Sequence, residues 1–154
     1  MKGNEKLLPV LNQLLAHELT VVSQYMVHAE MCDNWGYGKL HDAIQKQAVD
    51  EMHHAESLIQ RIIFLEGTPI VSKLGLMTIG KTAPDMIGND QEEELKTILA
   101  YNEASMLAHE VKDQASVDLF MDIVQMEEDH EDWAEKQRAQ IAQMGLENYL
   151  ANQA

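Results

Sequence analysis

The sequence predicts an all-α protein: a four-helix bundle with a long crossover between helices two and three and a short C-terminal helix. Apolar residues recur at three- and four-residue spacing along almost the whole chain, which is the period of an α-helix. Only three Pro and eight Gly interrupt it, and two Trp, four Tyr and two Phe are few for a β-sandwich or barrel. A chain of 154 residues can bury about 68–70% of its unfolded surface, so residues 1–154 are expected to form one domain.

The first two helices are predicted from apolar stripes that end at turn signals. The first stripe runs from Leu7 to Ala29 and stops at 33–38, where two glycines mark a turn. The second runs from Ile44 to Leu65 and stops at Glu66-Gly67-Thr68-Pro69. Gly favours the left-handed residue that ends many helices, and Pro cannot continue a helix.

The rest of the chain supplies the crossover and two further long helices. Residues 67 to about 82 contain three glycines and mixed polarity, which predicts a crossover rather than a helix. Helix three is expected to start near Thr82-Ala83-Pro84-Asp85, since Pro and an acidic residue are favoured in a first turn. Helix four follows Lys112-Asp113-Gln114 and ends at Gly145, and residues 146–150 add one or two turns.

The charge balance excludes nucleic acid as a partner. Eleven Lys and Arg against 26 Asp and Glu give a net charge of −15, whereas phosphate binding needs clustered cations. No apolar run approaches the roughly 18 residues needed to cross a bilayer, and no secretion signal opens the chain. The sequence therefore predicts a cytoplasmic protein with no membrane partner. The single Cys32 excludes a disulfide framework or a cysteine-built metal site within one chain.

Each long helix carries a glutamate where its apolar stripe requires a buried residue. These positions are Glu18, Glu51, Glu94 and Glu127. Burying an unpaired carboxylate costs several kcal/mol, so these groups must be protonated, ion-paired or bound to a cation.

Two of these glutamates begin a Glu-x-x-His motif, which ends at His54 in helix two and at His130 in helix four. Residues three apart share a helix face, so both side chains can converge on one point. In each motif the Glu follows another inward-facing Glu by 33 residues, and the second set follows the first by 76. A Glu at that distance before both motifs arises by chance with a probability of about 0.01.

Four carboxylates and two imidazoles form a ligand set for two metal ions. Two divalent cations cancel the carboxylate charge, and oxygen-rich coordination with one nitrogen per metal favours iron or manganese over structural zinc. The arrangement resembles that of the ferritin-like di-iron and di-manganese proteins. Two adjacent ions can share the reduction of O₂ or peroxide.

Longer motifs resemble the bacterioferritin family over essentially the whole chain. They are the opening Met1-Lys-Gly, Leu14-Leu-Ala-His-Glu-Leu, Gln24-Tyr, Asn34-Trp-Gly, Asp50-Glu-Met-His-His-Ala, Phe64-Leu-Glu-Gly, Glu127-Glu-Asp-His and Met144-Gly-Leu-Glu-Asn-Tyr-Leu. The resemblance implies a hollow 24-subunit shell built from dimers. Each subunit would be a ferroxidase that oxidises Fe²⁺ with O₂ or H₂O₂ and deposits the ferric product inside the shell. A small ferredoxin is the implied partner for iron release.

The resemblance also assigns ligands in a diiron centre. It implies that Glu18 and His54 hold one iron ion, that Glu94 and His130 hold the other, and that Glu51 and Glu127 bridge them. These six residues are the predicted metal ligands and catalytic residues.

Met52 points away from the metal-bearing face of helix two. It lies about 100° from Glu51 around the helix, in a second apolar row with Val49, Ile59 and Ile63. A helix buried on two sides in so small a domain implies a partner subunit, and from the residues alone interface packing is the commoner role of Met. The resemblance implies instead that Met52 from each of two subunits ligates a shared b-type haem.

The chain departs from the family at Lys46, where bacterioferritins often have a His that forms a further iron site with Asp50. A cation at position 46 would repel Fe²⁺, which predicts that the diiron centre passes iron inward. Two other functions remain open: a di-metal peroxidase or manganese catalase on the same bundle, and a non-catalytic haem electron carrier. The peroxidase or catalase is disfavoured because the chain has no Cys-x-x-Cys module and because Met52 would have no role in such an enzyme.

Other histidines and aromatic residues are predicted to be structural. Five histidines lack a partner at the repeat spacing and are interpreted as surface or hydrogen-bonded helix residues: His17, His28, His41, His53 and His109. Tyr25 and Trp133 can relay an electron near the site, but an aromatic residue at helical spacing usually belongs to the core.

Overall fold

The apolar stripes fold into five α-helices and no strand. In the computed structural model, which describes all of residues 1–154, α1 spans Leu7–Asn34, α2 Gly38–Phe64, α3 Ala83–Glu110, α4 Gln114–Met144 and α5 Leu146–Ala151. The predicted bundle, its long crossover and its short last helix are confirmed. No helix combines the length and apolar character that crossing a membrane requires.

Two helical hairpins form the bundle. α1 packs along α2 and α3 packs along α4, and the hairpins meet through contacts of α1 with α3 and of α2 with α4. The short α5 packs against α4. Each of the four long helices therefore has one face turned toward a common central axis.

The apolar core has two parts with a polar layer between them. One part surrounds Leu11, Leu58 and Phe120, and the other surrounds Ile44 and Ile87. Along every long helix the inward-facing glutamate lies between residues of the first part and residues of the second. The bundle thus places its buried carboxylates at mid-height, with apolar packing on both sides.

The end of α2 differs in one detail from the expectation. The residue with left-handed backbone is Glu66, at φ 61°, and Gly67 follows it. The N–H of Gly67 donates to the carbonyl of Ile62 at 2.9 Å, which closes the helix. A Cβ at Gly67 would lie 2.6 Å from Cδ2 of Leu8 and 3.2 Å from the carbonyl oxygen of Ile62, so the Leu8 side chain would have to move to accept a larger residue.

The crossover between α2 and α3 lies along α1 and is held by its polar side chains. Four of them accept hydrogen bonds from crossover N–H groups: Asn12 from Ile70, Thr20 from Gly75, Gln24 from Thr78 and His28 from Gly80. A segment without a helix or strand partner thereby satisfies part of its backbone. Nδ1 of the fully buried His28 lies 2.8 Å from Oδ1 of Asp90, as expected for a hydrogen-bonded structural histidine.

Substitution at Gly80 tests how closely the crossover packs on α3. A Cβ at Gly80 would lie 2.5 Å from the backbone nitrogen of Met86, so the backbone must shift. We expect Gly80→Ala to lower the free energy of unfolding by about 1–3 kcal/mol in chemical denaturation. Gly75→Ala is the matched control, because its Cβ would meet no atom closer than 3.6 Å and should change stability by less than about 0.5 kcal/mol. Equal losses at both positions would contradict the argument.

Candidate metal centre

The six predicted ligands meet in the polar layer of the bundle. All are buried: the exposed fraction is 0% for Glu18 and Glu127, 1% for Glu51, 2% for Glu94, 4% for His54 and 6% for His130. Each long helix contributes one glutamate, and α2 and α4 each add the histidine three residues later. The remaining five histidines lie outside this cluster.

The ligand atoms form two overlapping groups. Glu18, Glu51, His54 and Glu127 make up one group, and Glu51, Glu94, Glu127 and His130 make up the other. Within each group the ligand atoms all lie within 4.8 Å of one another, which is close enough to surround one cation. Because Glu51 and Glu127 belong to both groups, two cations would sit side by side with two glutamates between them.

Both histidines turn Nδ1 toward the centre. In His54 this nitrogen lies 2.9 Å from Oε2 of Glu51 and 3.0 Å from Oε1 of Glu127. In His130 it lies 2.9 Å from Oε1 of Glu51 and 3.5 Å from Oε2 of Glu127. The i, i+3 spacing of each Glu-x-x-His motif therefore brings nitrogen and oxygen donors to the same point.

Protons balance the charge when no cation is bound. Burial alone would lower the pKa of His54 and His130, but hydrogen bonds to Glu127 and Glu51 raise it to about 9 and about 10. Burial and the neighbouring Glu51 and Glu127 charges raise the pKa of Glu18 and Glu94 well above the ordinary range. The metal-free cluster thus pairs two imidazolium rings with carboxylates and keeps protons on the other two carboxyl groups.

The arrangement fits a cation better than it fits protons. Oε2 of Glu18 is buried and has no hydrogen-bond partner. Each oxygen of Glu127 has only one histidine Nδ1 nearby, at 3.0 Å or 3.5 Å, and that nitrogen lies closer to Glu51. A buried acceptor without a partner costs about 1–3 kcal/mol, and more when it is charged. A pair of divalent cations would satisfy these oxygens and replace the protons on the two histidines and on the carboxyl groups of Glu18 and Glu94.

Two tyrosines hold the outer glutamates in place. The hydroxyl of Tyr101 donates to Oε1 of Glu18, and the hydroxyl of Tyr25 donates to Oε1 of Glu94. Both tyrosines are fully buried, and burial together with the adjacent carboxyl group raises each phenol pKa, which keeps the donor proton in place. Tyr25 therefore has a polar role at the site in addition to its place in the core.

Tyr101 is the site residue that the sequence reasoning missed. It fits the apolar stripe of α3, so the sequence pattern alone is typical of a core residue. The signal that could have found it is the 76-residue repeat, since Tyr101 follows Tyr25 by the interval that separates the two ligand sets.

Comparison with known proteins agrees with this geometry. The sequence model of the ferritin-like domain family matches residues 9–144. A bacterial ferritin of Synechocystis sp. is 40% identical over 99% of both chains, and one of Paramagnetospirillum magnetotacticum is 40% identical over 100% of this chain and 95% of its own. A bacterioferritin of Mycobacterium leprae is 34% identical over 98% of this chain and 95% of its own. The chain belongs to the bacterioferritin family. The resemblance drawn from the motifs is confirmed.

The residue expected to bind haem lies apart from the centre. Met52 is 41% exposed on the outer side of α2, on the same helix face as Val49 at 43% and Ile63 at 59%. This face carries apolar side chains that a single bacterioferritin subunit leaves uncovered. The structure therefore does not bring Met52 together with the six candidate ligands.

The metal-free protein should lose stability as the pH rises. The folded pKa values of about 9 for His54 and about 10 for His130 exceed the ordinary value of 6.5, so the folded form binds more protons than the unfolded form between these limits. Their contribution is complete below pH 6.5 and is lost as the pH rises through about 9–10, at up to about 1.4 kcal/mol per pH unit for each ring.

Thermal denaturation of metal-free protein from pH 7 to pH 10 measures this loss. Zn²⁺-loaded protein is the control, because a metal-bound imidazole nitrogen no longer carries a proton and the slope should flatten. Parallel profiles with and without Zn²⁺ would show that these rings are not proton donors to the cluster.

Proposed function

We propose that this chain stores iron as a ferroxidase, oxidising Fe²⁺ and depositing the ferric product within an oligomeric shell. The observation that carries the proposal is the buried cluster of four glutamates and two histidines, in which Oε2 of Glu18 has no donor and Glu127 shares its two histidine donors with Glu51. Membership of the bacterioferritin family supports iron as the metal. Oxygen-rich coordination with one nitrogen per metal supports it too.

The two overlapping groups support a specific division of ligands. We propose that Glu18 and His54 bind one iron ion, that Glu94 and His130 bind the other, and that Glu51 and Glu127 bridge both. The shared position of Glu51 and Glu127 in both groups supports their bridging role.

The residues of the chain contribute binding, charge and proton release. The overall reaction is 4 Fe²⁺ + O₂ + 4 H⁺ → 4 Fe³⁺ + 2 H₂O, with the Fe²⁺ substrate supplying the electrons, and H₂O₂ is an alternative oxidant. Binding of Fe²⁺ displaces the protons of His54 and His130, so uptake is coupled to proton release. The anionic ligands favour Fe³⁺ over Fe²⁺, and the two tyrosines keep the outer glutamates aligned during the change.

We also propose that two copies of the chain share a haem at the outer face of α2. A thioether on an exposed apolar surface is a suitable soft ligand, and a second copy of this face would supply the second Met52 and cover Val49 and Ile63. Met52 from the two copies would hold the haem, which would supply electron transfer rather than O₂ binding. The remaining features of the proposal are a 24-subunit shell in the cytoplasm and a small ferredoxin that reduces the haem for iron release.

Removing one bridging carboxylate should slow iron oxidation. Glu127→Gln keeps the size of the side chain but removes its charge, so the rate of ferric absorbance after aerobic Fe²⁺ addition should fall by at least about tenfold. Glu128→Gln makes the same change at an exposed neighbour and should leave the rate unchanged. An unchanged rate in Glu127→Gln would contradict the proposal, and rapid O₂ release from H₂O₂ by manganese-loaded protein would favour a catalase instead.

Substitution of Met52 separates the haem site from the iron centre. Met52→His should alter the absorption spectrum of bound haem and leave Fe²⁺ uptake intact, because Met52 faces away from the centre. Met121→His is a matched control, since Met121 is also 41% exposed but lies on α4. Loss of iron uptake together with the haem spectrum would contradict two separate sites.

A further inference from the structure

The two halves of the centre are related by the 76-residue shift. It relates Glu18 to Glu94, Glu51 to Glu127, His54 to His130 and Tyr25 to Tyr101. The contacts follow the same rule, because each tyrosine donates to the outer glutamate of the other half and each histidine turns Nδ1 toward the shared glutamates. The two halves therefore have matching ligands and matching phenol donors.

The two halves differ at one pair of related positions, whose side chains contact Nε2 of the two histidines. The shift relates Asp50 to Met126, the residues that precede the two shared glutamates. Nε2 of His130 lies 3.2 Å from Oδ2 of Asp50, whereas Nε2 of His54 lies 3.4 Å from Sδ of Met126. The outer nitrogen of one ring thus faces a carboxylate, and that of the other ring faces a thioether.

These two partners differ in what they do to a metal-bound imidazole. A carboxylate that accepts a hydrogen bond from Nε2 keeps the ring proton on Nε2, so the lone pair of Nδ1 is free to bind the cation. The same hydrogen bond makes Nδ1 a stronger metal ligand. A thioether is only a weak acceptor and provides little of either effect.

Asp50 is held where it can act on His130. Nζ of Lys46 lies 2.6 Å from Oδ2, the same oxygen that faces His130. The side chain of Asp50 is 15% exposed, whereas that of Lys46 is 74% exposed. The lysine therefore covers the carboxylate from the solvent side and keeps it against the ring.

We propose that Asp50 and Met126 are positioning residues that make the two halves of the centre unequal. A divalent cation binds more tightly to the half with Glu94 and His130 than to the half with Glu18 and His54. The difference is about 10–100-fold, which is the usual effect of losing a hydrogen-bonded partner behind a metal ligand. This inference rests on the metal centre proposed above. It adds the order in which the two halves of that centre bind a cation.

Single-half variants allow the two affinities to be compared directly. Repulsion between two bound cations separates the binding steps of any dinuclear site, so two unequal steps in the native chain are not diagnostic. His54→Ala retains the half with Asp50, and His130→Ala retains the half with Met126. In calorimetric titration of the full chain with Zn²⁺, a redox-inert probe, we expect His54→Ala to bind about 10–100-fold more tightly than His130→Ala.

Exchanging the two positioning residues should exchange the affinities. Asp50→Met added to His54→Ala should weaken Zn²⁺ binding to the level of His130→Ala. Met126→Asp added to His130→Ala should strengthen it toward the level of His54→Ala. Gln125→Asp in the His130→Ala background is the charge control, because it adds the same negative charge at the preceding exposed position. Asp50→Asn, which keeps the shape of the side chain, replaces Asp50→Met if that variant does not fold.

Two kinds of result would overturn the inference in distinguishable ways. If neither single-half variant binds Zn²⁺, the metal centre itself is wrong, and the inference fails with it. If both bind with equal affinity, or if Met126→Asp does no more than Gln125→Asp, the centre stands and the inequality is wrong.

Discussion

The burial of four carboxyl groups at the middle of the bundle is the constraint on which the other features depend. A single buried carboxylate without a partner costs several kcal/mol, and here four of them share one polar layer with two imidazoles. Without metal, protons on the histidines and on two of the glutamates offset the charge. With metal, cations take the place of those protons. Metal binding at this site would therefore couple proton release and stability in one set of side chains.

Two matched hairpins provide a simple way to build such a layer. Each hairpin supplies one outer glutamate, one Glu-x-x-His motif and one tyrosine, and the tyrosine of each hairpin supports the glutamate of the other. Because these hydrogen bonds cross between the hairpins, ligand geometry depends on their docking. The two hairpins differ at Asp50 and Met126. This difference gives His130 and His54 different neighbours at Nε2, while the candidate metal ligands of the two halves stay the same.

The buried cluster of candidate ligands could be predicted from sequence because its glutamates violate the pattern around them. A glutamate within an apolar stripe is conspicuous, and the repetition of a glutamate pair, spaced by 33 residues and shifted by 76, indicates a common site. Tyr101 was missed because tyrosine is compatible with a buried stripe, so its polar role is hidden until Glu18 is seen beside it. Contacts such as Gln24 and His28 with Asp90 join residues more than 60 positions apart and follow no local period.

The division of the apolar core also affects how the subunit unfolds. The two apolar clusters belong to opposite ends of the bundle, and what lies between them along every helix is the layer of ionisable side chains. Without bound cations, hydrogen bonds and ion pairs within that layer link the two apolar clusters, and we expect the two ends to unfold less cooperatively than in the metal-bound protein. Cations bound to side chains of all four long helices would join the two ends into one cooperative unit. The bound metal would then also stabilise the folded subunit that holds it.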